Sequence, residues 1–143
     1  MPPPINHPCL NLELLAGTYF VKQFPAHEGI PTETLQRLSV VRATSTGPGL
    51  FSVTRTADEI SVVGDAPGDD GEWKCIKIAG PMDFGLTGVV CSFTIPLRDA
   101  KVPVFAISTW NTDYVLVPKE HAQTAVTTLA KDGWHFVGPE GSA

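Results

Sequence analysis

The feature that most constrains this chain is a pattern that occurs twice. Phe51-Ser52-Val53-Thr54-Arg55-Thr56-Ala57-Asp58-Glu59-Ile60-Ser61-Val62-Val63 reads as two short apolar strands joined by a polar corner, and the stretch from Phe105 to Pro118 has the same form. Laid over each other without a gap at an offset of 54 residues, Phe51 meets Phe105, Val53 meets Ile107, Thr54 meets Ser108, Glu59 meets Asp113 and Val63 meets Val117. The aromatic strand openers Tyr19 and Trp73 keep the same offset. Self-similarity at one period is the mark of a duplicated unit. A chain of 143 residues is long enough to bury a core as one domain or as two small repeats.

Local signals give the elements of each repeat. Residues 1–10, rich in proline, are expected to be a flexible arm. A first repeat over 11–65 holds the strand Tyr19 to Phe24, a short helix over 32–38, and strands over 50–56 and 59–63. Residues 66–72, Ala-Pro-Gly-Asp-Asp-Gly-Glu, read as a linker. A second repeat over 73–143 opens with the strand 73–79. Asp83 is expected to cap a helix whose apolar face is Leu86, Val89, Val90, Phe93 and Leu97. Strands over 102–108 and 114–117 follow. Pro118 then suits the first position of a helix lined by Ala122, Ala125, Val126 and Leu129, and Gly133 suits its stop. Trp134 to Val137 makes a last strand. The order strand, helix, strand, strand, helix, strand predicts an α+β, ferredoxin-like βαββαβ fold.

Charge and cysteine use narrow the function. A formal net charge of −5, with Lys and Arg scattered, gives no basic stripe for nucleic acid. No apolar run is long enough to cross a bilayer and no leader pattern is visible, so a cytoplasmic protein is expected. Cys9, Cys75 and Cys91 are odd in number, widely spaced and flanked by apolar residues, which predicts buried thiols and no disulfide framework. The four histidines lack metal-ligand spacing, no glycine-rich phosphate loop is present, and no nucleophile elbow occurs. Neither a metal, a cofactor nor an enzyme activity is expected.

Three segments together carry a resemblance. Gly80-Pro81-Met82-Asp83-Phe84-Gly85-Leu86-Thr87-Gly88, then Pro96-Leu97-Arg98-Asp99-Ala100, then Ile107 to Pro118, with the earlier Phe51 to Val63, resemble the ACT-domain proteins of the CASTOR type. The resemblance implies two tandem ACT-like repeats packed side by side and a small-molecule ligand, an amino acid, at the interface between ACT-like units. Proteins of the CASTOR type sense arginine, so arginine is the first ligand to consider. A homodimer and a regulatory protein partner are also implied.

The residues suggest how an amino acid is held. Its carboxylate suits the unpaired N–H groups of a helix start, expected over Gly80, Met82, Asp83, Phe84 and Gly85. Its ammonium, or a cationic side chain, suits Asp113, helped by Ser108, Thr109 and Thr112. Trp110 is placed to cover the aliphatic part. Each residue also has a plain structural role: Asp83 as a cap, Asp113 as a turn former, Trp110 as an anchor. The competing reading is an assembly module without a ligand.

Overall fold

The computed structural model describes residues 1–40, 49–82 and 88–138. In chain order the elements are β1 (Leu12–Leu14), β2 (Thr18–Pro25), α1 (Thr32–Leu38), β3 (Phe51–Arg55), β4 (Glu59–Ala66), β5 (Trp73–Ile78), α2 (Val89–Asp99), β6 (Phe105–Ser108), β7 (Asp113–Pro118) and α3 (Ala122–Lys131). They divide into two compact units. Gly17–Glu72 forms one, and Met1–Ala16 with Trp73–Ala143 forms the other.

The unit Gly17–Glu72 has the order βαββ, with β4 paired to both β2 and β3, each antiparallel. Phe20 and Phe51 both lie opposite Gly64, and their rings meet edge to face over it at 6.4 Å. A Cβ at Gly64 would fall 2.6 Å from the Phe51 ring, so a bare backbone is what admits both rings. Helix α1 buries none of its residues and leaves Leu35 and Leu38 exposed. Its Arg37 guanidinium stacks 4.8 Å from the Phe51 ring and donates to Asp65 Oδ1 at 2.6 Å.

The other unit follows βαββα through β5, α2, β6, β7 and α3. A single parallel bridge, Leu12 to Phe136, stands for the last strand of the ferredoxin-like order. Strand β7 pairs antiparallel with β5 and β6, and β1 pairs antiparallel with β5. Alternation puts Ile76, Ile78, Val115 and Val117 on the face covered by the helices. Val89, Phe93 and Leu97 of α2 and Ala125 and Leu129 of α3 meet them in one core cluster. Phe93 and Trp134 close it edge to face at 5.5 Å.

Several expectations change. The first ten residues are not a loose arm: Leu10 is 2% exposed, and Trp134 Nε1 donates to the Met1 carbonyl at 3.1 Å. Pro118 ends β7, and a short turn over Lys119–His121 separates it from α3. The strand expected over 102–108 begins only at Phe105, and that over 134–137 reduces to its one bridge. Helix α2 opens at Val89 with Gly88 as its cap, in the left-handed region at φ 77°; Asp83 lies outside the described residues. Cys75 is buried, but Cys9 is only half-buried and Cys91, in the first turn of α2, is exposed.

The duplication holds, with a slip. The two-residue turn Ala57-Asp58 is closed by Thr56 N–H to Glu59 O at 2.9 Å, and Trp110-Asn111 by Thr109 N–H to Thr112 O at 2.9 Å. The turns therefore correspond at an offset of 53 residues. Val21 opposite Val63 and Cys75 opposite Leu116 then keep 54 for the first strand and 53 for the hairpin. The gap-free match is one residue out over both hairpin strands. Because side chains alternate, that one residue exchanges the two faces of the sheet. The counterpart of Asp113 is Ile60, not Glu59.

Candidate functional site

The second hairpin ends in a corner tied down from three directions. Within the turn, the Thr109 hydroxyl donates to Thr112 O at 3.1 Å and accepts from Thr112 N–H at 3.3 Å. The Thr112 side chain, 2% exposed, donates to the carbonyl of Ile78 at 2.8 Å and so fixes the corner to the end of β5. The chain leaving β5 is held in turn by Ala79 N–H to Asn11 O at 2.7 Å and Gly80 N–H to Cys9 O at 2.8 Å. Gly80 sits at φ 62°, where a Cβ would lie 2.9 Å from Thr112 Cβ and 3.1 Å from Asn111 O. Only glycine meets both demands without strain. Met82 N–H then donates to Asn111 O at 2.8 Å.

Asp113 begins the row that continues through Val115 and Val117, the helix-covered face of the sheet. It is 8% exposed. The hydroxyl of Ser108, directly across the strand pair, donates to its Oδ1 at 2.5 Å, a distance typical of a charge-assisted bond. Among the described residues it has no ion-pair partner. A carboxylate at a core-facing position is costly unless it is well satisfied. Ile60, which holds the corresponding place in the first hairpin, is fully buried. The duplicated frame thus accepts an aliphatic side chain there, and this hairpin carries an acid instead.

Of the residues read from the sequence, Gly80, Met82 and Thr112 meet at this corner, and Ser108 and Asp113 bond to each other beside it. Thr109 forms the turn. Trp110 is at its tip, 83% exposed. Asp83, Phe84 and Gly85 lie outside the described residues. The helix start expected over 80–86 is found at Val89, beyond the corner. The sequence reading missed the carbonyls of Cys9, Asn11 and Asn111, which any residue type supplies and no side-chain pattern announces. Cys75 is no nucleophile: burial pushes its thiol from 9.0 up to about 12, against a smaller opposing effect of Lys74 and Lys77. Among the described residues no three His, Cys, Asp or Glu side chains gather to hold a metal, and no helix is long and apolar enough to cross a membrane.

Comparison with known proteins falls on this part of the chain. The ACT domain family matches residues 70–131, from the start of β5 to the end of α3. The bovine "Cytosolic arginine sensor for mTORC1 subunit 1" is 32% identical over 108 residues, which cover 62% of this chain and 33% of that protein. Human CASTOR3P is 25% identical over 101 residues, covering 57% of this chain and 62% of that protein. The match therefore spans about a third of the bovine sensor's length. A crystal structure of an Agrobacterium tumefaciens protein superposes with a TM-score of 0.70 at 32% identity, over 89% of this chain and 91% of the other. With a ferredoxin-like sheet and helices over the matched residues, residues 70–131 are an ACT domain, in a chain similar to the proteins of the CASTOR type.

Proposed function

We propose that this chain is a non-catalytic regulatory module that binds a free amino acid at the corner formed by Gly80, Met82 and residues 108–113. One observation carries the reading: Asp113 occupies a core-facing position at which the duplicated hairpin has Ile60. Polar residues placed against the local rule, with no gain in packing, concentrate at functional sites. Asp113 receives the ammonium or a cationic side chain, and Ser108 orients its carboxylate. Arginine is the first candidate, since the bovine relative is named as an arginine sensor. The ligand sits at an interface between ACT-like units, with a homodimer and a protein partner as the means of regulation, in the cytoplasm. Trp110 folds over the aliphatic stem.

The test is a thermal-shift and calorimetric screen of the common amino acids against wild type and Asp113→Ile. A ligand bound only by the folded state raises apparent stability. Arginine, or another amino acid, should raise the Tm of wild type. Asp113→Ile copies the first hairpin, so it should keep the fold and its stability within about 1 kcal/mol while losing the response. An unaltered response in the variant would reject Asp113 as the acceptor. Silence of wild type toward every amino acid would favour an assembly module.

A further inference from the structure

Helix α2 has a second face besides the one it buries. Cys91, Ile95 and Arg98 recur at helical spacing on the side away from Phe93 and Leu97. With Lys101, Val102 and Val104 of the chain returning toward β6, they line an open groove of about 560 Å³, the size of a small-ligand site. Ile95, Val102, Pro103 and Val104 make the aliphatic part of its wall. Val102 is 5% exposed, Val104 is 39% exposed, and Ile95 is half-buried.

The groove carries no carboxylate among its lining residues, and its two cations differ. Arg98 is already paired: Nε and Nη2 donate to Asp99 Oδ1 at 3.1 and 3.0 Å. Lys101 has no ion-pair partner among the described residues. Lys101 is also the one non-glycine among them with positive φ, at 60°. It stands just past the helix end, with its N–H on Arg98 O and the Val102 N–H on Leu97 O, both at 2.9 Å. Glycine is the usual residue for that left-handed place because a side chain there is strained. Backbone strain at a groove rim argues for a role of the side chain that carries it.

We propose that this groove binds a small amphipathic carboxylate, with its aliphatic part along Ile95, Val102 and Val104 and its charge on Lys101. The site is separate from the Asp113 corner and stands whether or not an amino acid binds there.

Decanoate, below its micelle concentration, is the probe, and alkylation of exposed Cys91 by iodoacetamide is the readout, with buried Cys75 as the internal reference. Decanoate should slow modification of Cys91 several-fold, whereas acetate, which lacks the tail, and decyltrimethylammonium, which reverses the charge, should not. Lys101→Gly relieves the left-handed strain, so it should fold with an unchanged or higher Tm and lose the protection. If Lys101 merely neutralises the helix end, decanoate will protect Cys91 in Lys101→Gly as in wild type, and the proposal fails. Equal protection by decyltrimethylammonium, or none by decanoate, also overturns it.

Discussion

The two hairpins are built on one plan and used differently. Each turns on a threonine whose hydroxyl binds across a two-residue loop: Thr56 to Glu59, Thr109 to Thr112. In the first hairpin the residues past the loop are ordinary. Glu59 accepts from Gln23 near the surface, and Ile60 fills the core. In the second they are Thr112, which reaches back to Ile78, and Asp113, which buries an acid. The turn needs neither, because the first hairpin forms without them. The second hairpin therefore carries polar groups that its own folding does not require.

The sharpest way to break that comparison is Ile60→Asp, which puts the second hairpin's acid into the first. Arg55 faces Ile60 across the strands, but its side chain is exposed, so pairing there draws the acid out of the core position. A loss of about 4 kcal/mol is expected in urea unfolding. A fully stable variant would show that both frames tolerate an acid, and Asp113 would cease to be distinctive. Next is Gly80→Ala, expected to cost about 3 kcal/mol from left-handed strain and the clash with Thr112. Gly88→Ala, at φ 77° and ψ 1° with open space around its Cβ, should cost about 1 kcal/mol. Equal losses would mean that the corner is not tightly packed.

Thr112→Val removes the donor to the buried Ile78 carbonyl and should cost about 2 kcal/mol. Its counterpart Glu59→Gln should change stability by less than about 0.5 kcal/mol. The last comparison is read as a slope. Cys75 corresponds to Val21, so only one unit titrates at this position. The raised thiol pKa means that the unfolded chain ionises first: stability is complete below pH 9 and falls as pH rises through about 12. Tyr114, raised by burial and then by Cys75 and Glu13, acts in the same direction. Cys75→Val should flatten the fall by up to about 1.4 kcal/mol per pH unit. An unchanged slope would assign the loss to other groups.

Much of this architecture was legible in the sequence. Helix α1 and the strands β3, β5 and β7 lie within a residue or two of where alternation and breakers place them. The βαββ order and the duplication were visible as well. The one-residue slip was not, because residues of similar class stand at adjacent positions on both strands, and only hydrogen-bond register tells them apart. Glu59 matched Asp113 in charge, and that likeness hid the informative pair. Gly80, Thr112 and Asp113 were read as neighbours of a site from residue type and family resemblance. The carbonyls of Cys9 and Asn11 that hold Gly80 in place come from a distant segment and leave no trace in the local pattern. Leu12 likewise gives no sign in sequence of pairing with both Ile78 and Phe136.

That pairing bears on the order in which the molecule can be assembled. Leu12 N–H donates to His135 O and Leu12 O accepts from Val137 N–H, while every residue of the Gly17–Glu72 unit lies between these partners along the chain. The intervening unit pairs its strands β2, β3 and β4 with one another. Its surroundings must instead wait for two remote stretches to meet, a step that loop entropy makes late and slow. Contacts between near neighbours in the chain can form early, and the pairing of Leu12 with the stretch around Phe136 is a clasp fastened last.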